Sequence, residues 1–437
     1  MTSGRGGEPL GTSAVAGDWD VASPASDMAS REVYLDYAAA TPLDPRVLDA
    51  MLPYLTERFH NPSSPYAAAR RARADVEDAR RRLAQVLGAR ADGIILTSGA
   101  TEANNLAFAA TDGHVVTDAI EHQSVLRVAE GRPHTLVGVA ADGRVDARAM
   151  AAAITPRTEL VSLELANGEV GSVQPVRELA RLVAAERQRR LEAGERRQLL
   201  LHVDASQATG QLAVNVSSLE ADMVTVSAAK IYGPKQMGLL WCSDRVRLRP
   251  LVLGGGQERG MRSGTENVAG IAGFARALEL AEAMRREEAA RLRGLRQRME
   301  AELRRELPWC VVSGPRQEKL RLPGLLHLSL PGLEAQRLVV LLEREGVSVG
   351  TGSACAASKM QASHVLEALG MPGGLSQGSL RLTLGRPSTA DEVAYGARAI
   401  VRCARAEMER LGLDDATMAG RAAELGAPGG RWRRGRD

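Results

Sequence analysis

Met223-Val224-Thr225-Val226-Ser227-Ala228-Ala229-Lys230-Ile231-Tyr232-Gly233-Pro234-Lys235 sets a short apolar run against a lysine and then a Gly-Pro turn. A bounded apolar run of this kind suits a strand buried on both faces, and burial lowers the pKa of a lysine placed just beyond it. Similar runs occur at Ile94–Thr97, Val115–Thr117, Leu160–Leu165, Leu199–Val203 and Leu239–Cys242, with helical segments between several of them. This alternation predicts an α/β fold with a mainly parallel sheet. Before the first run, Ser64 and Pro65 read as the N-cap and first residue of a helix. Its apolar stripe is Ala69, Ala72, Val76, Ala79, Leu83 and Val86, and Gly88 ends it.

The character of the chain changes further on. Residues 277–307 read as a long charged helix with Leu292, Leu295, Met299 and Leu303 on one face. An alternating strand follows at Leu326–Leu330, and Thr389 with Glu392 forms a capping box that opens another helix. The expected organisation is a large domain over 45–276 and a smaller α+β domain combining 31–44 with 277–415. Residues 1–30, rich in Gly, Ser and Ala, read as a disordered leader, and 416–437, with clustered arginines, as a basic flexible tail.

Composition narrows the function classes. A net charge of +3 and only 3% aromatic residues argue against direct nucleic-acid binding. No stretch approaches the ~20 apolar residues of a membrane span, and the N-terminus lacks a signal-peptide pattern. Cysteines at 242, 310, 355 and 403 form no CxxC pair, so neither a metal site nor a disulfide framework is indicated, and a cytoplasmic setting fits. Of 56 basic residues only four are lysines, at 230, 235, 319 and 359. A lysine retained in so arginine-rich a chain draws notice, because a desolvated lysine forms a Schiff base and arginine does not. Lys319 and Lys359 read as chance survivors.

Three strand ends carry polar clusters, the place where ligands bind in open α/β sheets. Thr97-Ser98-Gly99-Ala100-Thr101-Glu102 enters a helix with small residues, as a phosphate cradle would, although alone it fits a plain cap better. Asp204-Ala205-Ser206-Gln207 follows the Leu199 run, and Ser227 to Lys235 follows the Met223 run. Together they supply phosphate anchoring, an acid partner and a buried lysine, the set that pyridoxal phosphate (PLP) needs.

At this point the sequence resembles the cysteine desulfurase and selenocysteine lyase family of class V aminotransferase fold. The matching segments are Tyr34-Leu35-Asp36-Tyr37-Ala38-Ala39-Ala40-Thr41-Pro42, Asn61-Pro62-Ser63-Ser64, Thr97 to Glu102, Glu121-His122, Asn167-Gly168-Glu169-Val170-Gly171, His202-Val203-Asp204, Lys230 to Lys235, Arg259-Gly260-Met261-Arg262-Ser263-Gly264-Thr265 and Gly352-Ser353-Ala354-Cys355. The resemblance spans roughly residues 31–412. It implies a fold-type I PLP-dependent homodimer acting as an L-cysteine desulfurase. Lys230 is then the Schiff-base lysine and proton shuttle, Asp204 the partner of the pyridine nitrogen, Gln207 that of the ring hydroxyl, and His122 the stacking residue. Ala100, Thr101 and Ser227 are expected to bind the phosphate, with Thr265 reaching one across a dimer interface. Asn167 and Arg381 are expected to hold the substrate carboxylate. Cys355 is expected to take the sulfur as a persulfide, for a sulfur-acceptor protein such as an iron–sulfur scaffold or a tRNA-thiolation protein.

Each residue also has a plainer reading: His122 as an ordinary helix-start histidine, Asn167 as a turn residue, Arg381 as one of many paired arginines. Cys355 stands apart because its neighbours are small, as in a mobile exposed loop, whereas Cys242, Cys310 and Cys403 lie in apolar runs and read as core. The sequence departs from the family at Ala229, where a histidine usually precedes the lysine, at Gly168, where a second Asn is frequent, and at Tyr66. The run Asn61–Tyr66 and the charged insertion Glu186–Gln198 are similar to selenocysteine lyases. Selenocysteine lyase is therefore the first alternative activity, and a PLP-free sulfur-transfer scaffold, suggested only by Ala229, the second.

Overall fold

The computed structural model describes residues 32–351, 363–427 and 432. The chain enters through β1 (Val33–Leu35) and two helices, α1 (Pro45–Thr56) and α2 (Ala67–Leu87). The helix starts two residues later than Ser64 and Pro65 predict. The N-cap of α2 is Tyr66, with no side-chain cap, because the Asn61 carboxamide takes the Ser63 amide at 2.9 Å and holds the preceding residues in a turn. The predicted stripe is otherwise buried from Ala69 to Leu83, and Gly88 ends the helix at φ +64°, where a Cβ would be strained.

Seven strands then build one sheet: β2 (Ile94–Thr97), β3 (His114–Asp118), β4 (His134–Val137), β5 (Thr158–Glu164), β6 (Leu200–Asp204), β7 (Met223–Ser227) and β8 (Gly238–Cys242), in the order β2-β8-β7-β6-β5-β3-β4. Pairs β3/β4, β3/β5, β5/β6 and β6/β7 are parallel. Only β8 runs against its neighbours β7 and β2. The ten residues between β7 and β8 are too few for a crossover helix, so the strand returns antiparallel. As a result β2, β3, β5, β6 and β7 all end at one sheet edge, which gathers Thr97, Asp118, Glu164, Asp204 and Ser227.

A second sheet of five strands takes β1 with β9 (Val311–Val312), β10 (Leu325–Ser329), β11 (Val347–Thr351) and β12 (Ser379–Thr383), in the order β1-β11-β12-β10-β9. The alternating strand expected at Leu326–Leu330 is β10, and all five of its residues are buried. The capping box of Thr389 and Glu392 forms and opens a helix over Ala390–Leu411.

The long charged helix starts earlier than expected. It covers Val268–Glu306, so a boundary at 276/277 falls inside it. Its first part, including Ile271, Phe274 and Leu278, packs in the core of the seven-stranded sheet. Leu292, Leu295, Met299 and Leu303 pack in the core of the other. The tail expected from 416 is corrected too: Asp415–Glu424 is helical. Its Ala422 is buried in the core of the seven-stranded sheet and its Met418 in the other, and two inward apolar residues outweigh the arginines around them. Of the described cysteines, Cys310 and Cys403 are buried as expected, while Cys242 is only partly so.

Candidate active site

Sheet register builds an anion cradle. Gly238 of β8 stands beside Thr97 of β2 on one side and Ser227 of β7 on the other. A Cβ on Gly238 would lie 2.6 Å from the Gly99 carbonyl carbon and 3.0 Å from the Ala100 nitrogen. Glycine there lets Ser227 sit close to the start of α3 (Ala100–Phe108). Gly99 is the N-cap at φ +130°, with no capping side chain, and a Cβ on it would touch nothing within 4 Å. The amides of Ala100 and Thr101 thus begin a helix that no side chain of the described residues caps, which favours an anion. Glu102 in the first turn would oppose one. It is turned back onto the Ser98 amide at 2.8 Å and held by Arg262 Nε at 2.9 Å, and these bonds hold its pKa below the ordinary value against burial.

Lys230 ends the short 3-10 turn after β7. Its Nζ donates to the carbonyls of Ala38 and Ala39 at 2.8 and 2.6 Å. Burial, helped by the nearby Arg381 guanidinium and opposed by Asp36 and Asp204, lowers its pKa to about 8. Lys235 is tied instead to the Thr41 carbonyl at 2.7 Å. Ala229 contributes its carbonyl, which takes the Thr41 amide and hydroxyl. Asp204 ends β6, and its two oxygens accept from Asn104 Nδ2 at 2.7 Å and the Ser206 amide at 2.9 Å. Asn104 lies on α3, so one helix both offers the cradle and fixes the carboxylate.

His122 is the N-cap of the helix Gln123–Glu130, where Nδ1 meets the Ser124 amide and hydroxyl. It is both the helix-start residue and a site residue: burial and Lys230 push its pKa down, and Asp204 opposes them. Gln207 donates to the Ala38 carbonyl at 3.1 Å. A Cβ on Gly168 would lie 2.8 Å from the Gln207 side chain, so the departure at 168 is what lets Gln207 sit there. A cavity of about 50 Å³ borders Gln207, Lys230 and Tyr232 but neither Asp204 nor His122, so it lies beside the cradle rather than in it.

Behind Asp204 the strand ends bring three more carboxyl groups together. Asp118 accepts from the Ile120 amide, Glu121 from Thr117 and Ser162, and Glu164 from Asn167. Oδ2 of Asp118 and Oε2 of Glu121 are buried with no partner among the described residues. Burial raises all three pKa values, and the neighbouring acids raise those of Glu121 and Glu164 further. Burial thus favours their neutral forms around Asp204, whose two oxygens both have donors. His202 extends this floor between Ser162 and Thr225, each at 3.0 Å, and burial lowers its pKa to about 4.

The predicted carboxylate binders separate. Asn167 uses both sides of its amide internally: Nδ2 on the Ile120 carbonyl and Glu164, Oδ1 on the amides of Glu169 and Val170. It shapes the turn. Arg381, on β12, donates from Nη2 to Asp36 at 2.7 Å, and its Nε has no partner among the described residues. Thr265 lies exposed, three residues after the Arg262 that holds Glu102. Cys355 lies outside the described residues. Asn104, Asp118 and Glu164 escaped the sequence reading. Asp36 was within a quoted segment, without a role.

The donor set fits PLP: open helix amides and Ser227 for a phosphate, Asp204 for a cationic ring nitrogen, His122 beside it, and an amine of depressed pKa. Fold and site define a class V aminotransferase-type enzyme, and the Aminotransferase class-V family model matches residues 33–395. "Cysteine desulfurase IscS" of Dictyoglomus turgidum is 39% identical over 377 residues, covering 84% of this chain and 92% of its own. That of Anaeromyxobacter sp. strain K is 40% identical over 381 residues, with 84% and 91% covered. A solved "NifS-like protein" superposes with a TM-score of 0.76 at 33% identity, over 85% of this chain and 98% of that one. The chain belongs to the cysteine desulfurase family, within the class V aminotransferases and their fold-type I architecture.

Proposed function

We infer that this cysteine desulfurase binds PLP at the shared strand edge, acts on L-cysteine, and passes its sulfur to Cys355 as a persulfide while L-alanine leaves. The observation that carries the reading is Lys230, an amine of pKa about 8 set among Asp204, His122 and the α3 amides. The cofactor, when bound, supplies the electron sink for a carbanion at Cα. The chain's own residues do the rest. Lys230 is partly neutral near pH 8 and serves as nucleophile and then as base for the Cα proton. Asp204, fixed by Asn104 and Ser206, remains an acceptor toward a cationic ring nitrogen. Arg381 takes the substrate carboxylate, and the Asn167 turn supports that wall. The Cys355 thiolate attacks the substrate sulfur as the Cβ–S bond breaks with its electron pair left on carbon, and protonation of that carbon gives L-alanine.

The enzyme is read as a cytoplasmic homodimer serving a sulfur-acceptor protein of iron–sulfur assembly or tRNA thiolation. Among the described residues no helix is long and apolar enough to cross a membrane. The dimer is supported by an exposed apolar face on α1, with Leu48, Leu52 and Leu55 exposed at 41, 45 and 57%, and by Phe59 and Leu253 at 69 and 80%. Exposed Thr265 would reach the partner's phosphate site.

Comparing sulfide release from L-cysteine with selenide release from L-selenocysteine tests the activity. Turnover of L-cysteine with stoichiometric L-alanine is expected, and selenide release alone would move the reading to a lyase. Cys355→Ala should keep its yellow colour and respond spectrally to L-cysteine, yet release almost no L-alanine; near-normal desulfuration would sink the persulfide step.

A further inference from the structure

Arg381 already holds a carboxylate. Its Nη2 donates to Asp36 Oδ1 at 2.7 Å, with the two side chains 8% and 19% exposed. Nη1 makes only a long 3.4 Å contact to the Gly168 carbonyl, and Nε is without a partner among the described residues. The contact is therefore a single hydrogen bond, although a guanidinium offers a carboxylate two parallel ones. Space for the pair comes from Gly350, which stands opposite Arg381 in the β11/β12 register. A Cβ on Gly350 would lie 2.5 Å from Asp36 Oδ1 and 3.1 Å from Arg381 Nε. The Asp36 backbone is fixed, since its carbonyl takes the Tyr34 hydroxyl at 2.9 Å and the Ala39 amide at 3.0 Å. Among the described residues its carboxylate is bonded only to Arg381, and its side chain is partly exposed. Two residues further on, the Ala38 carbonyl receives Lys230.

We propose that Asp36 is an internal stand-in for the substrate's α-carboxylate, occupying Arg381 in the free site and displaced by the incoming ligand, so that it sets the affinity for amino acids. This rests on the reading of Arg381 as the carboxylate binder. A free carboxylate engages two N–H groups where Asp36 engages one, so exchange is favourable in geometry. The resident pair still lowers apparent affinity by the fraction of sites it occupies. It also keeps the arginine from being left as an unpaired buried cation when no ligand is present. Asp36 is thus a specificity-determining residue for ligands that carry a carboxylate.

The test uses the holoenzyme and the absorbance of its bound cofactor as a binding readout, with L-alanine as a probe that has the carboxylate and cysteamine as one that lacks it. Asp36→Asn should bind L-alanine about three- to ten-fold more tightly and leave cysteamine within about two-fold. Asp36→Ser should do the same, which guards against one variant misfolding. Weaker L-alanine binding in both would mean that Asp36 orients Arg381 and would overturn the proposal. Equal tightening of both probes would place the effect on Lys230, which Asp36 also faces, and would overturn it as well. In Arg381→Gln, L-alanine binding should fall at least about ten-fold with cysteamine spared, and adding Asp36→Asn should then change nothing. If Arg381→Gln leaves L-alanine binding intact, the Arg381 reading itself fails, whatever the Asp36 variants show.

Discussion

Beneath the site, Asp118, Glu121, Glu164 and Asp204 meet with no arginine or lysine bonded to any of them among the described residues, whereas Arg381, on the facing sheet, has its own carboxylate partner. At the site, burial on the seven-stranded side favours the protonated acids Asp118, Glu121 and Glu164, whereas the five-stranded side pairs Arg381 with Asp36. Lys230 lies between the two and feels both: Arg381 lowers its pKa, and Asp36 and Asp204 oppose that. On that floor Asp204 is the acid with a donor on each oxygen, from Asn104 and Ser206. A paired wall keeps a cation available for exchange. One surface fixes a permanent occupant and the other meets a transient one.

Removing the lysine breaks the comparison most completely. Lys230→Ala should abolish turnover and borohydride-trapped cofactor, while Lys235→Ala retains both; mass spectrometry of the reduced enzyme reads the outcome, and the opposite pattern would move the Schiff base to Lys235. Next in size is the floor. Asp118, raised by burial to about 7 from an ordinary value near 4, costs the folded state nothing while protonated in both states. The cost grows as pH climbs from about 4 to 7, because the unfolded chain ionises first. Asp118→Asn keeps the acceptor for the Ile120 amide and removes that cost. It should stabilise the protein at pH 8 by about 2–4 kcal/mol and at pH 4 by much less, as denaturant unfolding at the two pH values would reveal. An equal effect at both would mean that Asp118 is ionised in the fold.

The wall gives a smaller effect. His327 of β10, opposite Arg381 in β12, is fully buried with neither ring nitrogen partnered among the described residues. Burial and the guanidinium push its pKa to about 3, so it stays neutral over the whole working range. An unpartnered buried polar ring is costly to keep. His327→Leu should raise stability by about 1 kcal/mol, with no pH dependence between 5 and 9; a loss of stability would show that the imidazole holds a bridging group.

The lysine, Asp204 and the glycine-led α3 entry were legible because each follows a strand that its own apolar run announces. The floor was not. An Asp or Glu after an apolar run looks like a cap, and only the non-local order β6-β5-β3 sets Asp118 and Glu164 beside Asp204. Asn104 was invisible for a related reason: its spacing on α3 says nothing about which strand end it will meet. Asn167 was assigned outward and turned inward because four polar groups around it needed one amide. Ser64-Pro65 misled for the opposite reason, a strong local signal overruled by the Asn61 turn. Asp36 carries no local signal of its role, since its partner lies 345 positions away.

The helix Val268–Glu306 runs 39 residues without a proline, about 58 Å at 1.5 Å per residue. With one half set in each core, it works as a stiff spar joining the two sheets. A spar clamped at both ends transmits displacement instead of absorbing it, so swinging one sheet away from the other would require bending a helix that has no built-in kink. Motion within each sheet's own side chains and loops, rather than a hinge between the sheets, is then the cheaper way to admit a ligand.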